Sequence, residues 1–558
     1  IARMPVAAPS GKHDLLPAPA RRIAPYFLLA LAVFAFYGNV YDNSFLFDDD
    51  LLITINQNLL SWSHIGGILT GSTTSGAHIA GGFYRPLQML LYLVVYQFWG
   101  KSTFAFHLLN LVLHAANACL VYRLGTKLDF KRGGVFLAAL VWALHPLHTE
   151  AVTYMSATAD PLFSFFCLSA VLVLLPDPMS GHGTSISSRK IFAVIPLFLL
   201  ALVSKETAVM LPLLVMACLF YISPRRLDPR TYVRTWPLWV VTIVYSYWRA
   251  HAAWLDGPHT YERIYALPQF ATMNLYAHHF IYRLYTFFAT LPAYAALLAW
   301  PTGLHMERSF AVYTSLWRVS VLTGMGMFLF AAAHIVRSAV ASGKMKPNAG
   351  LPMAWGLLWF FTAHAPDSGL AVAVNSLLLE HWMYLPSAGL FLGIGETLAG
   401  MTPDRPRIAM ACGAAAFLFA MIMGCKTYAQ NEIWHDPVVF YNNIFAHGEQ
   451  SARAHNNLAL YYDDRGDIPD AITQFKKAIA ISDTYAETRY NLALAYLSLP
   501  DARAHVQEAR DNLTRALAID PNFYRAWGAM AGVYTLEGNR KKAAQCAARA
   551  NALIKEQE

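Results

Sequence analysis

What most limits the fold of this chain is a succession of apolar runs at or near membrane-crossing length. They lie at about 25–41, 104–124, 133–147, 160–176, 191–204, 207–222, 236–250, 311–336, 351–364, 383–400 and 406–424. So many runs cannot all hide in one water-soluble core. A mean hydropathy of +0.36, with 56% hydrophobic and 14% charged residues, points the same way. The chain therefore reads as an all-α, polytopic membrane helix bundle of about eleven spans. The formal net charge of +8 does not indicate nucleic acid. The basic residues sit in short clusters between apolar runs, which is the pattern that orients membrane helices. Of six cysteines, Cys119, Cys167, Cys218 and Cys412 fall inside apolar stretches, so no disulfide framework is visible. The first run follows Arg21 and Arg22 and lacks a small-residue cleavage site, which suits a retained signal-anchor helix.

If the spans alternate, the loops carrying Arg123, Lys127, Lys131 and Arg132, then Arg225, Arg226, Arg230 and Arg234, are cytoplasmic, as is a tail over 1–24. Asp48, Asp49, Asp50, Glu150, Asp160, Glu380 and everything after Gly424 then face outward. Two more apolar stretches would spoil the alternation. Residues 85–100 begin with Arg85, and 276–301 contain His278, His279, Arg283 and Pro292, so both read as amphipathic helices at the outer leaflet. The expected domains are a membrane domain over 25–424 with an outer loop at 42–103, a linker at 425–450, and a repeat domain at 451–558.

The repeats announce themselves by period. Leu458, Ala459 and Tyr462 return as Leu492, Ala493 and Tyr496 after 34 residues, and as Met530, Ala531 and Tyr534 after a further 38. Ala471, Phe475 and Ala478 match Ala509, Leu513 and Ala516, then Ala543, Ala547 and Ala550. This spacing resembles three tetratricopeptide repeats, with Trp527 at the early aromatic position and an insertion near Pro500–Val506. Stacked helix pairs of this kind form a solenoid with a concave groove. Tyr462, Tyr496 and Trp527 are its candidate contacts to a protein or peptide acceptor; an array that only braces the membrane domain is the alternative.

Several polar constellations interrupt the apolar pattern. Asp48, Asp49 and Asp50 stand together directly after the first span, where like charges repel and lose hydration; a solvated loop end is the plain alternative to work on a proton, a metal or a cation. His107, Asn110, His114 and Asn117 share one helix face and are expected to bond within the bundle. His145, His148 and Glu150 match no strong zinc spacing. Lys205 beside Glu206 is either a neutralised pair or the cation that receives a lipid phosphate. Arg85, Arg283 and His381 suit the same duty.

Phe45 to Asp50, Tyr84-Arg85-Pro86, the helix with Phe106, His107, Asn110, His114 and Asn117, His145-Pro146 through Glu150, Lys205-Glu206-Thr207 and Tyr384 to Ser387, followed by the repeats, together resemble the transmembrane O-mannosyltransferases with tetratricopeptide repeats and their bacterial relatives. The resemblance implies a GT-C superfamily enzyme that takes a sugar from a polyprenyl-phosphate carrier on the outer face. It favours Asp48 and Asp49 over Asp50 as catalytic carboxylates. It also implies donor phosphate or sugar contacts at Arg85, His145, Glu150, Lys205 and His381, the last standing where the family usually carries an arginine. Phosphate is already a good leaving group, so such a transfer needs a base for the acceptor hydroxyl and cations for the departing phosphate; in-line attack would invert the anomeric centre. A divalent ion, Mg or Mn, held by Asp48, Asp49 and Asp50 is an open point, as is the choice between the two aspartates.

The leading expectation is transfer of mannose or a related sugar to Ser or Thr hydroxyls of an extracytoplasmic protein, in a bacterial inner membrane with the site and repeats facing the periplasm. The alternatives are a membrane-anchored scaffold for an envelope or surface complex, and a lipid or glycan transporter. Nucleic acid is not an expected partner.

Overall fold

In a bilayer the backbone has to satisfy its own hydrogen bonds, so apolar runs of this kind fold as helices. In the computed structural model of the protein every regular element among the described residues is helical. The structure describes residues 18–77, 79, 81–175, 188–252, 271–341, 350–374, 376–401, 405–448 and 450–557; most of the expected tail at 1–24 lies outside them. The longer helices are α1 (Ala18–Tyr37), α2 (Pro86–Trp99), α3 (Thr103–Lys127), α4 (Arg132–Ala143), α5 (Ala159–Leu174), α6 (Ser188–Leu202), α7 (Leu211–Ile222), α8 (Trp236–His251), α9 (Phe280–Ala299), α10 (Val319–Ala341), α11 (Leu351–His364), α12 (Tyr384–Gly400) and α13 (Pro406–Ile433). After them come α14 (Pro437–Ala446) and the repeat helices α15 (Ala452–Asp464), α16 (Ile468–Ile481), α17 (Ala486–Leu497), α18 (Val506–Ile519), α19 (Tyr524–Leu536) and α20 (Arg540–Gln557).

Four continuous helices among the described residues are long and apolar enough to cross a membrane: Thr103–Lys127, Met155–Leu174, Val319–Ala341 and Pro406–Ile433. They differ in surroundings. The Met155–Leu174 window is 78% buried in the bundle, whereas α10 and α13 are only 17% buried and turn apolar faces such as Leu329, Phe330, Met410 and Leu418 outward, as lipid-facing helices do. A fifth span is broken: Arg132–Ala143 and Pro146–Val152 meet at 49°. Pro146 explains the break, because it lacks an N–H and disfavours helical geometry at the residue before it; His145 is extended at φ −76°, ψ 123°.

The polar face of α3 answers the need that this break creates. Asn110 donates to the carbonyls of Val152 and Tyr154 at 3.1 and 3.2 Å, and Asn117 to that of Pro161 at 2.8 Å. His114 lies 2.9 Å from the Ala143 carbonyl and 2.8 Å from the Tyr384 hydroxyl. Three of the four residues expected to bond within the bundle, Asn110, His114 and Asn117, thus satisfy the backbone of neighbouring segments, whereas the buried ring of His107 has no hydrogen-bond partner among the described residues. Trp142, Trp355, Trp359 and Tyr384 fill the space around it; the Trp142 and Trp359 indoles donate to the carbonyls of Tyr384 and Leu385.

The repeat domain consists of three helix pairs, α15 with α16, α17 with α18 and α19 with α20, around a core that includes Ala471, Phe475, Leu492, Ala493, Ala509, Leu513 and Met530. The extra residues of the second unit form a 3-10 turn, Ala502–His505. The stretch expected as a linker is largely helical: α13 runs to Ile433, and α14 packs Phe440, Tyr441 and Ile444 against Leu46, Phe47, Tyr154, Ala454 and Leu458. The array therefore shares a core with the outer loop.

Helices α11 and α12 approach so closely that a Cβ at Gly356 would meet the Gly389 carbonyl oxygen at 2.8 Å and the Gly393 Cα at 3.2 Å. Rigid backbone stands on the far side, so Gly356→Ala should destabilise by about 1–3 kcal/mol. Gly326→Ala, with nothing within 4 Å, is the neutral control. Thermal unfolding in detergent of the two variants checks this; equal melting temperatures would show that the pair can separate freely.

Candidate active site

Although adjacent in sequence, the three aspartates diverge. The chain turns at Phe47, whose φ of +58° is unfavourable for a bulky side chain; the ring is held by Phe440 and Tyr441 at centroid distances of 6.2 and 6.0 Å. Asp49 points inward and is 1% exposed. Its carboxylate accepts from the Leu46 N–H at 2.9 Å, the Ser156 N–H at 2.8 Å and the Ser156 hydroxyl at 2.5 Å. Asp50 is exposed and accepts from the Thr54 hydroxyl at 2.9 Å. Asp48 is neither sealed nor fully free. Its side chain is 42% exposed, its N–H donates to the Tyr154 hydroxyl at 2.9 Å, and the Arg453 guanidinium stands 3.6 Å from its carboxylate. A single ion held by all three is not what this geometry offers. Among the described residues no group of three His, Cys, Asp or Glu side chains converges as metal ligands do.

A second charged assembly lies beyond the Met155–Thr158 turn. Arg85, at the start of α2, forms a two-pronged pair with Glu206 at 3.1 and 2.7 Å. Lys205 donates to Asp160 at 2.7 Å, with both side chains nearly buried. The His381 Nδ1 sits 2.9 Å from the Glu150 carboxylate, which also accepts the His381 N–H at 3.0 Å. Electrostatic coupling of Asp367 to Lys205, Asp160, His381 and Glu206 joins these pairs into one cluster. The link to the aspartate loop is the turn itself. Gln88 donates to the Ser156 carbonyl at 2.8 Å, and the Tyr92 hydroxyl donates to that of Met155 at 2.5 Å, so α2 grips the segment that also binds Asp49.

Sequence reasoning did not foresee these partners. Asp160 pairs with Lys205 and Glu206 with Arg85, and only spatial proximity assigns them; Arg453, Glu307 and Ser156 were missed for the same reason. Other expected site residues are engaged in packing. His145 is fully buried and caps its own turn, accepting from the Leu147 N–H, with its Nε2 3.1 Å from the Leu298 carbonyl. Tyr496 is 8% exposed within the repeat core, Tyr462 packs at the junction of the array with the outer loop, and the Trp527 indole donates to the Pro521 carbonyl at 2.9 Å. Tyr496 is thus part of the repeat core, whereas Tyr462 and Trp527 are only partly buried.

Burial sets the electrostatics outside the spans. It pushes Asp367 up to about 6 and Glu380 up to about 8, the latter helped by Glu150 and opposed by Arg308 at 2.9 Å. Burial opposes charge on His381, but the Glu150 carboxylate holds the imidazole above its ordinary value. Asp49 is raised to about 7 by burial, against its hydrogen bonds from Ser156 and Leu46. A carboxyl raised on folding adds stability that is full below its ordinary value near 3.8 and is lost as pH climbs through about 7. Asp49→Asn should therefore remove a decline on the order of 2–4 kcal/mol between those pH values. Denaturant unfolding of both proteins across that range checks the slope, and parallel curves would contradict it.

With this geometry in view, comparison with known proteins places the chain among similar sequences. The TPR repeat family matches residues 460–499. The human protein O-mannosyl-transferase TMTC1 is 24% identical over 540 residues, covering 87% of this chain and 58% of that protein. A protein O-mannosyl-transferase of Caenorhabditis elegans is 23% identical over 416 residues, covering 72% of this chain and 54% of its own length. Mouse protein O-mannosyl-transferase TMTC2 is 36% identical over 147 residues, which is 25% of this chain and 17% of the relative. The chain thus spans little more than half the length of the human TMTC1 and Caenorhabditis elegans relatives. Among solved structures, the APC/C hetero-tetramer Cut9-Hcn1 aligns over 96% of each chain at 14% identity, but with a TM-score of 0.20 that says nothing about the fold. The similarity over most of the chain, together with the repeat match, bears out the resemblance to the protein O-mannosyl-transferases that carry tetratricopeptide repeats.

Proposed function

We propose that the protein is a membrane glycosyltransferase that moves mannose or a related sugar from a polyprenyl-phosphate donor to a Ser or Thr hydroxyl of an extracytoplasmic protein. The observation that carries this reading is Asp48. Its side chain is 42% exposed on a strained turn against the repeat array, and the Met155–Thr158 turn, bound by Asp49 on one side and by Gln88 on the other, links its loop to the helix that begins beside Arg85. In the proposed step the acceptor oxygen attacks the anomeric carbon in line and its proton passes to Asp48. The bond from that carbon to the phosphate oxygen breaks, and the phosphate leaves with the electron pair.

Asp48 fits the base better than Asp49. All the geometry around Asp49 consists of fixed donors in a sealed site, so taking a substrate proton there would mean tearing out the loop's anchor. Arg453 approaches Asp48 only to 3.6 Å, beyond hydrogen-bond length, which leaves carboxylate oxygens to meet a hydroxyl. Arg85, Lys205 and His381 are the proposed phosphate contacts. A lysine ammonium has three donors and Asp160 accepts one of them, so the pairing fixes Lys205 in place without exhausting it. Glu150 orients His381 in this scheme.

The proposed division is catalysis in residues 25–424 and acceptor selection in 451–558. The proposed setting is a bacterial inner membrane, with site and repeats on the periplasmic side. The test uses protein purified in detergent, synthetic mannosyl-phosphoryl-polyprenol and a pool of Ser- and Thr-containing peptides. Asp48→Asn should lower transfer about 100-fold or more while insertion and melting temperature hold. Transfer that survives Asp48→Asn unchanged would sink the reading.

A further inference from the structure

Arg453 is the second residue of α15, the first repeat helix, and the sequence pattern gives it no role. Its guanidinium meets two separate loops of the membrane domain. On one side it lies 4.3 Å from the centroid of the Phe47 ring and 3.6 Å from the Asp48 carboxylate. On the other it donates to the carboxylate of Glu307, in the connection between α9 and α10. Ser451, which caps α15 by accepting from the Ala454 N–H at 3.0 Å, donates to the second Glu307 oxygen at 2.8 Å. The neighbouring carboxylates of Glu307 and Asp48 hold the guanidinium above its ordinary value.

Both loops are strained at the residues involved. Phe47 has φ +58° and Glu307 φ +62°, and they are two of only three non-glycine residues with positive φ among the described residues. Such conformations cost on the order of 1–3 kcal/mol and persist only where surroundings over-determine them. Here a single side chain from the repeat array touches Phe47 and Glu307 at once. Apolar contact reinforces it, because Ala454 and Leu458 of α15 share a core with Leu46, Phe47 and Tyr154.

We infer that Arg453 is a positioning residue through which the repeat array sets the Asp48 loop, so that the domain proposed to select the acceptor also holds the base in place. This rests on the function proposed above. An acceptor delivered along the array then arrives at a carboxylate fixed by the array's own first turn, and the two domains act as one catalytic unit.

The test compares Arg453→Gln, Arg453→Lys and Glu307→Gln in the full chain, with mannosyl-phosphoryl-polyprenol and the same peptide pool. Arg453→Gln should lower kcat about tenfold or more, with the KM for donor within about twofold of wild type. Arg453→Lys should recover part of kcat, since an ammonium keeps the charge but not the two-sided reach. Glu307→Gln should fall in between. Unchanged kcat in Arg453→Gln overturns the inference, and so does a loss that Lys does not relieve and that follows the melting temperature. If the wild type transfers no sugar, the proposed function fails, and hydrogen exchange then decides the coupling by itself. Arg453→Gln should speed exchange at residues 44–50 and 304–308 about tenfold while α17 to α20 keep their protection. Unaltered exchange at both loops overturns the inference.

Discussion

The structure depends on how a broken membrane segment keeps its backbone hydrogen-bonded. Pro146 ends the helical ladder at His145, and the chain runs through short turns until α5 begins at Ala159. At bilayer depth each stranded carbonyl would cost several kcal/mol. Asn110, His114 and Asn117 pay that cost from one face of α3, and Tyr92 and Gln88 do so from α2. Asp49 closes the set by binding Ser156. The break is thus a fixed platform, and both charged assemblies are built on its rim.

Fixing the platform also explains how adjacent aspartates come to have different environments. Alternate directions along a tight turn send one carboxylate into the protein and its neighbours out. Once Asp49 is committed to Ser156, Asp48 has to face the repeat array and Asp50 the solvent. On the other side of the platform, cations and carboxylates occur in matched pairs. Lone buried charges would be prohibitive, whereas paired ones hold side chains in set geometries at modest net gain. Lys205 with Asp160 and Arg85 with Glu206 show this arrangement.

Much of this was legible beforehand, for identifiable reasons. The apolar runs and the 34-residue period are local patterns, and helices follow from them directly. The polar face of α3 could be read because helical geometry aligns residues three and four apart. The aspartate loop and Lys205 stood out as charges in apolar surroundings. What escaped was every partner distant in sequence: Asp160 for Lys205, Glu206 for Arg85, Arg453 for Asp48. The surroundings of the repeat aromatics were hidden for a related reason. An amphipathic ring suits a binding groove and a helix interface equally, and only packing distinguishes them; Tyr496 proved to be interior.

The sequence by itself determined an all-helical chain rich in membrane-type helices, its repeat solenoid and the residue types available for chemistry, because periodicity and composition act over short range. Tertiary structure decided which aspartate is buried, which cations are already paired, and that the array is joined to the outer loop through Phe47, Arg453 and Glu307. Those outcomes depend on contacts between segments hundreds of residues apart. No local propensity encodes such contacts; they follow from how the helices pack.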